Sequence, residues 1–179
     1  YGEIPVETIF IGGGTPSVPD SALIVEIMEH VRHAFHVADG AEISMEANPG
    51  TVTREKLTDY RKAGINRLSF GLQSANDREL KLLGRIHTWA EFLESFTLAR
   101  ECGFANLNID LMSALPGQSE ESWQETLRFV CDLEPEHISA ITMIGSARAA
   151  NCHSFRLIIA IAKNRFKDRP PSASTSSIG

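Results

Sequence analysis

Apolar residues recur along this chain in two alternating rhythms. Short runs rich in β-branched and aromatic residues read as strands at Val6 to Ile11, Glu42 to Ala47, Arg67 to Leu72, Leu107 to Met112 and His137 to Met143. Between them the period lengthens to that of a helix. Ile24, Ile27, Met28 and Val31 place a helix over Pro19 to Phe35, and Thr53 caps a second one that runs to Ala63 and stops at Gly64. A short element follows at Asn76 to Leu83, then a helix from Trp89 to Cys102 that ends at Gly103. The last runs from Ser119 to Asp132, capped by Ser119 and opened by Glu120 and Glu121, whose charges suit a helix N-terminus.

Strands alternating with helices across short connections predict parallel strands joined by right-handed crossovers. Two α/β architectures satisfy that order, an incomplete barrel or an open doubly wound sheet. In either, the loops after the strands' carboxyl ends gather on one face. Polar residues cluster at just those ends: Gly13, Gly14 and Thr15, then Glu46 and Asn48, then Gln73, then Asp110. A shared cup explains the set better than four unrelated structural roles.

The stretch IFIGGGTPS, residues 9 to 17, removes every side chain where the first strand ends. Two readings stand. The glycines make a tight turn and Pro16 opens the following helix, or bare backbone groups approach a ligand closely. The stretch is neither a Walker loop nor a dinucleotide fingerprint, because no Gly-Lys-Ser/Thr follows and the third glycine is misplaced.

With 179 residues and 42% hydrophobic content the chain can bury one core. It opens at Tyr1 directly in a strand approach, which points to a fragment of a longer chain. No apolar run reaches the roughly eighteen residues of a membrane span, and no leader pattern opens the sequence, so a cytoplasmic protein is expected. A net charge of −6 offers no surface for polyanions, which argues against nucleic acid as a partner. Cys102, Cys131 and Cys152 lie far apart, without metal-ligand spacing, and the first two read as small buried residues near helix ends.

From His137 onward six Lys and Arg face a single acid, Asp168, whereas the preceding part carries eleven against twenty-two acids. Phe155 to Phe166 reads as a basic amphipathic helix or as out-of-frame sequence, and PPSASTSSIG as a disordered end. The expected organisation is a core over residues 1–140 and a divergent tail over 141–179.

Five ordered motifs, IFIGGGTPS, SMEANPGT, GINRLSFGLQS, LGRIHTW and NIDLMSALPGQ, give the chain a family. Together they resemble the radical S-adenosylmethionine (SAM) enzymes of the oxygen-independent coproporphyrinogen III oxidase type. Within that family they look most like the branch regarded as heme chaperones. The likeness covers roughly residues 4 to 140. It implies an α/β fold, a partial (β/α)6 TIM-like barrel truncated at the first strand, and SAM as cofactor. Gly13, Gly14, Thr15, Glu46, Gln73, Arg85 and Asp110 match the family's cofactor-binding positions, and no catalytic or metal-binding residue is assigned.

Two activities follow from the resemblance. One is heme binding and delivery. The other is oxidative decarboxylation of coproporphyrinogen III to protoporphyrinogen IX, through a 5′-deoxyadenosyl radical that abstracts hydrogen from a propionate. The implied partners are heme or a porphyrinogen and an electron donor. The family's C-x3-C-x2-C motif, which holds a [4Fe–4S] cluster upstream of GGGTP, is missing here with its strand. The expectation is therefore that residues 1–179 alone neither bind a cluster nor cleave SAM, and that the strand at Val6 to Ile11 is left with an unpaired edge that favours aggregation.

Overall fold

The computed structural model describes residues 4–144 and 154–162. The chain runs β1 (Val6–Ile11), α1 (Ser21–Ala34), β2 (Val37–Ala47), α2 (Arg54–Lys62), β3 (Arg67–Gln73), α3 (Asp77–Leu82), α4 (Trp89–Glu101), β4 (Asn106–Ser113), α5 (Glu120–Asp132), β5 (His137–Ile144) and β6 (Ser154–Ala162). Side chains close the helix starts. Asp20, Thr53, Asn76 and Ser119 each accept from a first-turn N–H, and Thr88 with Glu91 forms a complete capping box. Each such cap contributes on the order of 1 kcal/mol.

The six strands form one sheet in the order β1-β2-β3-β4-β5-β6, with β1 to β5 parallel. That order decides the architecture. A doubly wound sheet reverses its strand order at a switch point, whereas here every strand lies beside its predecessor. The result is a curled half-barrel with helices outside it. Among the described residues no strand pairs with the outer side of β1.

The period of two along each strand sorts its side chains between two environments. Ile43, Met45 and Ala47 on β2, Leu68, Phe70 and Leu72 on β3, and Leu107, Ile109 and Leu111 on β4 are buried against the helices. Phe92 and Phe96 of α4 pack on Phe70, at ring centroid distances of 6.2 and 6.3 Å. Leu57 and Tyr60 of α2, with Ile24 and Met28 of α1, complete this layer. The intervening positions are mostly polar: Ser44 and Glu46, Ser69 and Gln73, Asn108 and Asp110, Ser139. They line the concave side, where the site lies.

Three expectations need correction. First, β2 begins at Val37 rather than Glu42, because Val6 pairs with Val37 and Thr8 with Glu42 across an irregularity that absorbs the turn-like Ala38-Asp39-Gly40. Second, in the stretch Phe155 to Phe166, read as a basic amphipathic helix or as out-of-frame sequence, the described residues belong to β6, antiparallel to β5. Three isoleucines in a short apolar run fit either element by periodicity, and the open edge of β5 favours the strand. Third, Cys102 is only partly buried and Cys131 is exposed. Cys152 and the terminal PPSASTSSIG lie outside the described residues.

Candidate functional site

The first wall of the site is built by two loops that lock to each other. After β1, Gly13 and Gly14 take φ values of +94° and +61°, a left-handed backbone that side chains disfavour. No atom lies within 4 Å of where either Cβ would stand, so that side of the turn is open. At Gly12 a Cβ would meet the exposed Phe10 ring at 2.4 Å and the Glu46 carboxyl carbon at 3.2 Å, so these side chains would have to shift to admit one. The turn demands glycine at 13 and 14 and leaves their backbone accessible, while Pro16 lies before the helix rather than opening it, since α1 starts at Ser21 behind the Asp20 cap.

The Gly13 N–H donates to Glu46 Oε2 at 3.2 Å, joining the end of β1 to the end of β2. Further along, Asn48 Nδ2 donates to Thr15 Oγ1 at 3.0 Å and the Asn48 N–H to Ser17 Oγ at 3.1 Å. Lys56 Nζ reaches up from α2 to the carbonyls of Ser17 and Val18 at 2.8 and 2.9 Å. An ammonium is thus held by loop carbonyls, and the Thr-Pro-Ser turn is fixed from below.

The second wall comes from β3, β4 and the segment after α3. Gln73 ends β3 at φ +75°, a conformation that costs a non-glycine residue roughly 1–2 kcal/mol. Its neighbour Gly71 leaves room for that geometry, since a Cβ there would lie 3.2 Å from Asn48 Oδ1 and 3.3 Å from Gln73 Nε2. On β4 the Asp110 carboxylate accepts from Ser69 Oγ at 2.7 Å and from Asn108 Nδ2 at 2.8 Å. Arg85 comes in from the turn that closes α3, where its N–H donates to the Leu80 carbonyl at 2.9 Å. Burial pushes the Arg85 guanidinium below its ordinary pKa, and the negative charge of Asp110 opposes that shift.

These walls enclose a cavity of about 310 Å³, lined by Gly14, Thr15, Glu46, Gln73, Arg85 and Asp110 together with Asn48, Ser69, Gly71 and Ile141. Small-molecule sites span roughly 300–1,000 Å³, so the space suits a compact ligand. The structure brings six of the seven site residues read from the sequence to this one cavity and ties the seventh, Gly13, to Glu46. Ser69, Asn108 and Ser139 escaped sequence reasoning. Stepping back by two from Gln73 and Asp110 would have passed through Gly71 to Ser69 and to Asn108, but neither residue type carries a signal of its own.

His87, in the LGRIH stretch, was also missed. It is buried behind the cavity with Nε2 3.3 Å from the Leu72 carbonyl, next to Gln73. Burial holds its imidazole below the ordinary histidine pKa, the Leu72 carbonyl opposing. The fold therefore favours neutral His87, while the unfolded chain protonates it near pH 6.5. This contribution to stability is present above that value and lost as pH falls below it. Urea unfolding of His87→Gln at pH 7.5, 6.5 and 5.5 should show a flatter decline than the parent; parallel declines would show that His87 contributes none of it.

Residues 1–130 match the Radical SAM superfamily. The chain belongs to that family. Among radical SAM relatives it is 46% identical over 134 residues to the heme chaperone HemW of Escherichia coli, and 38% identical over 144 residues to HemW of Bacillus subtilis. The first alignment covers 75% of this chain and 35% of the relative, the second 80% and 38%. This radical SAM chain thus spans about a third of the length of the curated relatives it matches. The solved structure of coproporphyrinogen III oxidase (HemN) from E. coli, a radical SAM enzyme, superposes with a TM-score of 0.73 at 35% identity, over 79% of this chain and 32% of that one.

Membership of the radical SAM family implies SAM and a [4Fe–4S] cluster. The cavity's donor set fits the first: two carboxylates, one guanidinium and an open glycine backbone around one space. It does not fit the second. Among the described residues no three His, Cys, Asp or Glu side chains stand close enough to hold a metal ion, and no helix is long and apolar enough to cross a membrane.

Proposed function

We propose that the concave wall of this radical SAM chain binds S-adenosylmethionine, in a protein that holds and delivers heme. The observation that carries this reading is the convergence of Glu46, Arg85 and Asp110 on one cavity beside the Gly13–Gly14 turn. SAM presents an ammonium, a sulfonium, a carboxylate and two ribose hydroxyls. Carboxylates at two strand ends complement its cations and hydroxyl donors, and the fork of Arg85 complements its carboxylate. The accessible glycine backbone supplies neutral donors and acceptors where a side chain would keep the ligand away. A cluster in a longer parent, reduced by an electron donor, would supply the electron for SAM cleavage; this chain's residues bind and orient the cofactor.

Calorimetric titration of the chain with SAM tests the reading. Saturable binding is expected, weakened at least tenfold in Arg85→Leu by loss of a charge-assisted pair of about 1.5–3 kcal/mol. No heat of binding at millimolar SAM, or equal affinity in Arg85→Leu and Glu46→Gln, would overturn it.

Identity to heme chaperones supports delivery of heme as the role of the whole protein. The superposition on coproporphyrinogen III oxidase supports a second reading, decarboxylation of coproporphyrinogen III. Incubating a full-length relative with SAM, reductant and coproporphyrinogen separates them. Stable heme uptake without vinyl products supports the chaperone, and vinyl products support the oxidase.

A further inference from the structure

Along the cavity wall a row of polar side chains crosses three strands. Ser69 of β3 lies level with Asn108 of β4, and Ser139 of β5 lies level with Asp110. Ser69 and Asn108 are 6% and 2% exposed. Polar groups this deep are retained only when they are paired, and here the pairing runs in one direction.

The Ser139 hydroxyl donates to Asn108 Oδ1 at 3.0 Å. The Asn108 amide then spends its N–H groups on Ser69 Oγ at 2.7 Å and on Asp110 Oδ1 at 2.8 Å. The Ser69 hydroxyl, having accepted from Asn108, donates to Asp110 Oδ2 at 2.7 Å. Turning the Asn108 amide over would set its oxygen against the Asp110 carboxylate and leave the Ser139 hydroxyl facing an NH2 group. The amide therefore has one workable orientation, and every donor in the row points toward Asp110.

We propose that Ser69, Asn108 and Ser139 are positioning residues for the cofactor. They clamp both oxygens of the Asp110 carboxylate from the wall side, so that its remaining lone pairs stay aimed into the cavity. This inference rests on the reading that the cavity binds SAM. Without the clamp the carboxylate can rotate about its last bond or turn toward Arg85, and a ligand donor must pay to reorient it. A clamp on rigid, laterally paired strands holds the group more firmly than a loop would. Asn108 is the hub, with three of the four contacts, and Ser69 is the member that touches both Asn108 and Asp110.

Binding of SAM to the full chain, measured by calorimetry in Ser69→Ala, Ser69→Thr, Asp110→Ala and the double variant Ser69→Ala/Asp110→Ala, tests the proposal. Ser69→Ala should weaken binding about tenfold, the scale of one hydrogen bond to a charged group. Ser69→Thr, which keeps the hydroxyl, should restore it. On the Asp110→Ala background Ser69→Ala should cost nothing further, because its effect passes through a carboxylate that is no longer there. Equal affinity in Ser69→Ala and the parent overturns the proposal, and so does an undiminished loss on the Asp110→Ala background, which marks a merely structural role.

Should the parent chain bind no SAM, the proposed function falls, and the clamp is tested separately by hydrogen exchange of the Asn108 side-chain amide in NMR. Protection in the parent that disappears in both Ser69→Ala and Asp110→Ala supports the clamp. A freely exchanging amide in the parent shows that there is none.

Discussion

Replacing Glu79 with alanine is expected to cost about 3 kcal/mol of folding stability, the consequence of leaving several buried donors without their acceptor. Glu79 belongs to α3, yet the residue is only 7% exposed. Oε2 accepts from Ser74 Oγ at 2.6 Å and from Gln118 Nε2 at 2.8 Å, while Oε1 accepts from Ser122 Oγ at 2.6 Å. One side chain thereby joins the loop after β3, the loop after β4 and the first turn of α5. Glu79→Gln should cost less than the alanine change, because its amide oxygen can still accept from Ser74 and Gln118 while its NH2 group donates to the Ser122 hydroxyl, with the charge lost. Urea midpoints read at constant slope would check both, and an alanine variant within 0.5 kcal/mol of the parent, the range of ordinary surface changes, would show that the hub is dispensable.

An effect of similar size is expected at Phe70, where truncation to alanine should cost about 4 kcal/mol. The ring is fully buried, packs edge-on against Phe92 and tilts against Phe96, so its loss opens a cavity between β3 and α4 that rigid strands cannot collapse to fill. Phe70→Leu, which keeps most of the volume, should cost far less. The measurement is again urea unfolding. Similar losses in the two variants would mean that aromatic geometry, rather than filled volume, stabilises this layer.

The sequence showed the α/β alternation because core positions on β2, β3 and β4 repeat with period two and those on the helices with a longer period. Strand order was not legible. Five strands separated by helices fit either architecture until their neighbours are known. A strand was not among the readings of Phe155 to Phe166, a basic helix or out-of-frame sequence, because the choice there depends on the edge of β5, a partner that local pattern cannot contain. Cys131 was read as a small buried residue near a helix end, but it follows the buried Val130, and one residue of helical rotation carries it outward.

The site divides in the same way. Glycines at a strand end, and acids at the ends of two further strands, carry a signal in their type and position, so the cavity's rim could be named in advance. Glu79 and Asn108 carry none. A glutamate in a short helix reads as a solvated charge, and an asparagine in a strand as an exception to propensity. Their importance comes from lateral register, Ser69 beside Asn108 and Ser139 beside Asp110, and from a loop packing that places Gln118 and Ser122 around Glu79.

The alternation along β4 also bears on how such a protein can change over evolutionary time. Leu107, Ile109 and Leu111 answer to the packing of the helix layer, while Asn108 and Asp110, interleaved with them, answer to whatever occupies the barrel's hollow. The two sets share a backbone but almost no neighbours, so substitutions in one are weakly coupled to the other. A lineage can therefore rewrite the lining of the hollow residue by residue, acquiring new chemistry, without spending the stability on which tolerance of those substitutions depends.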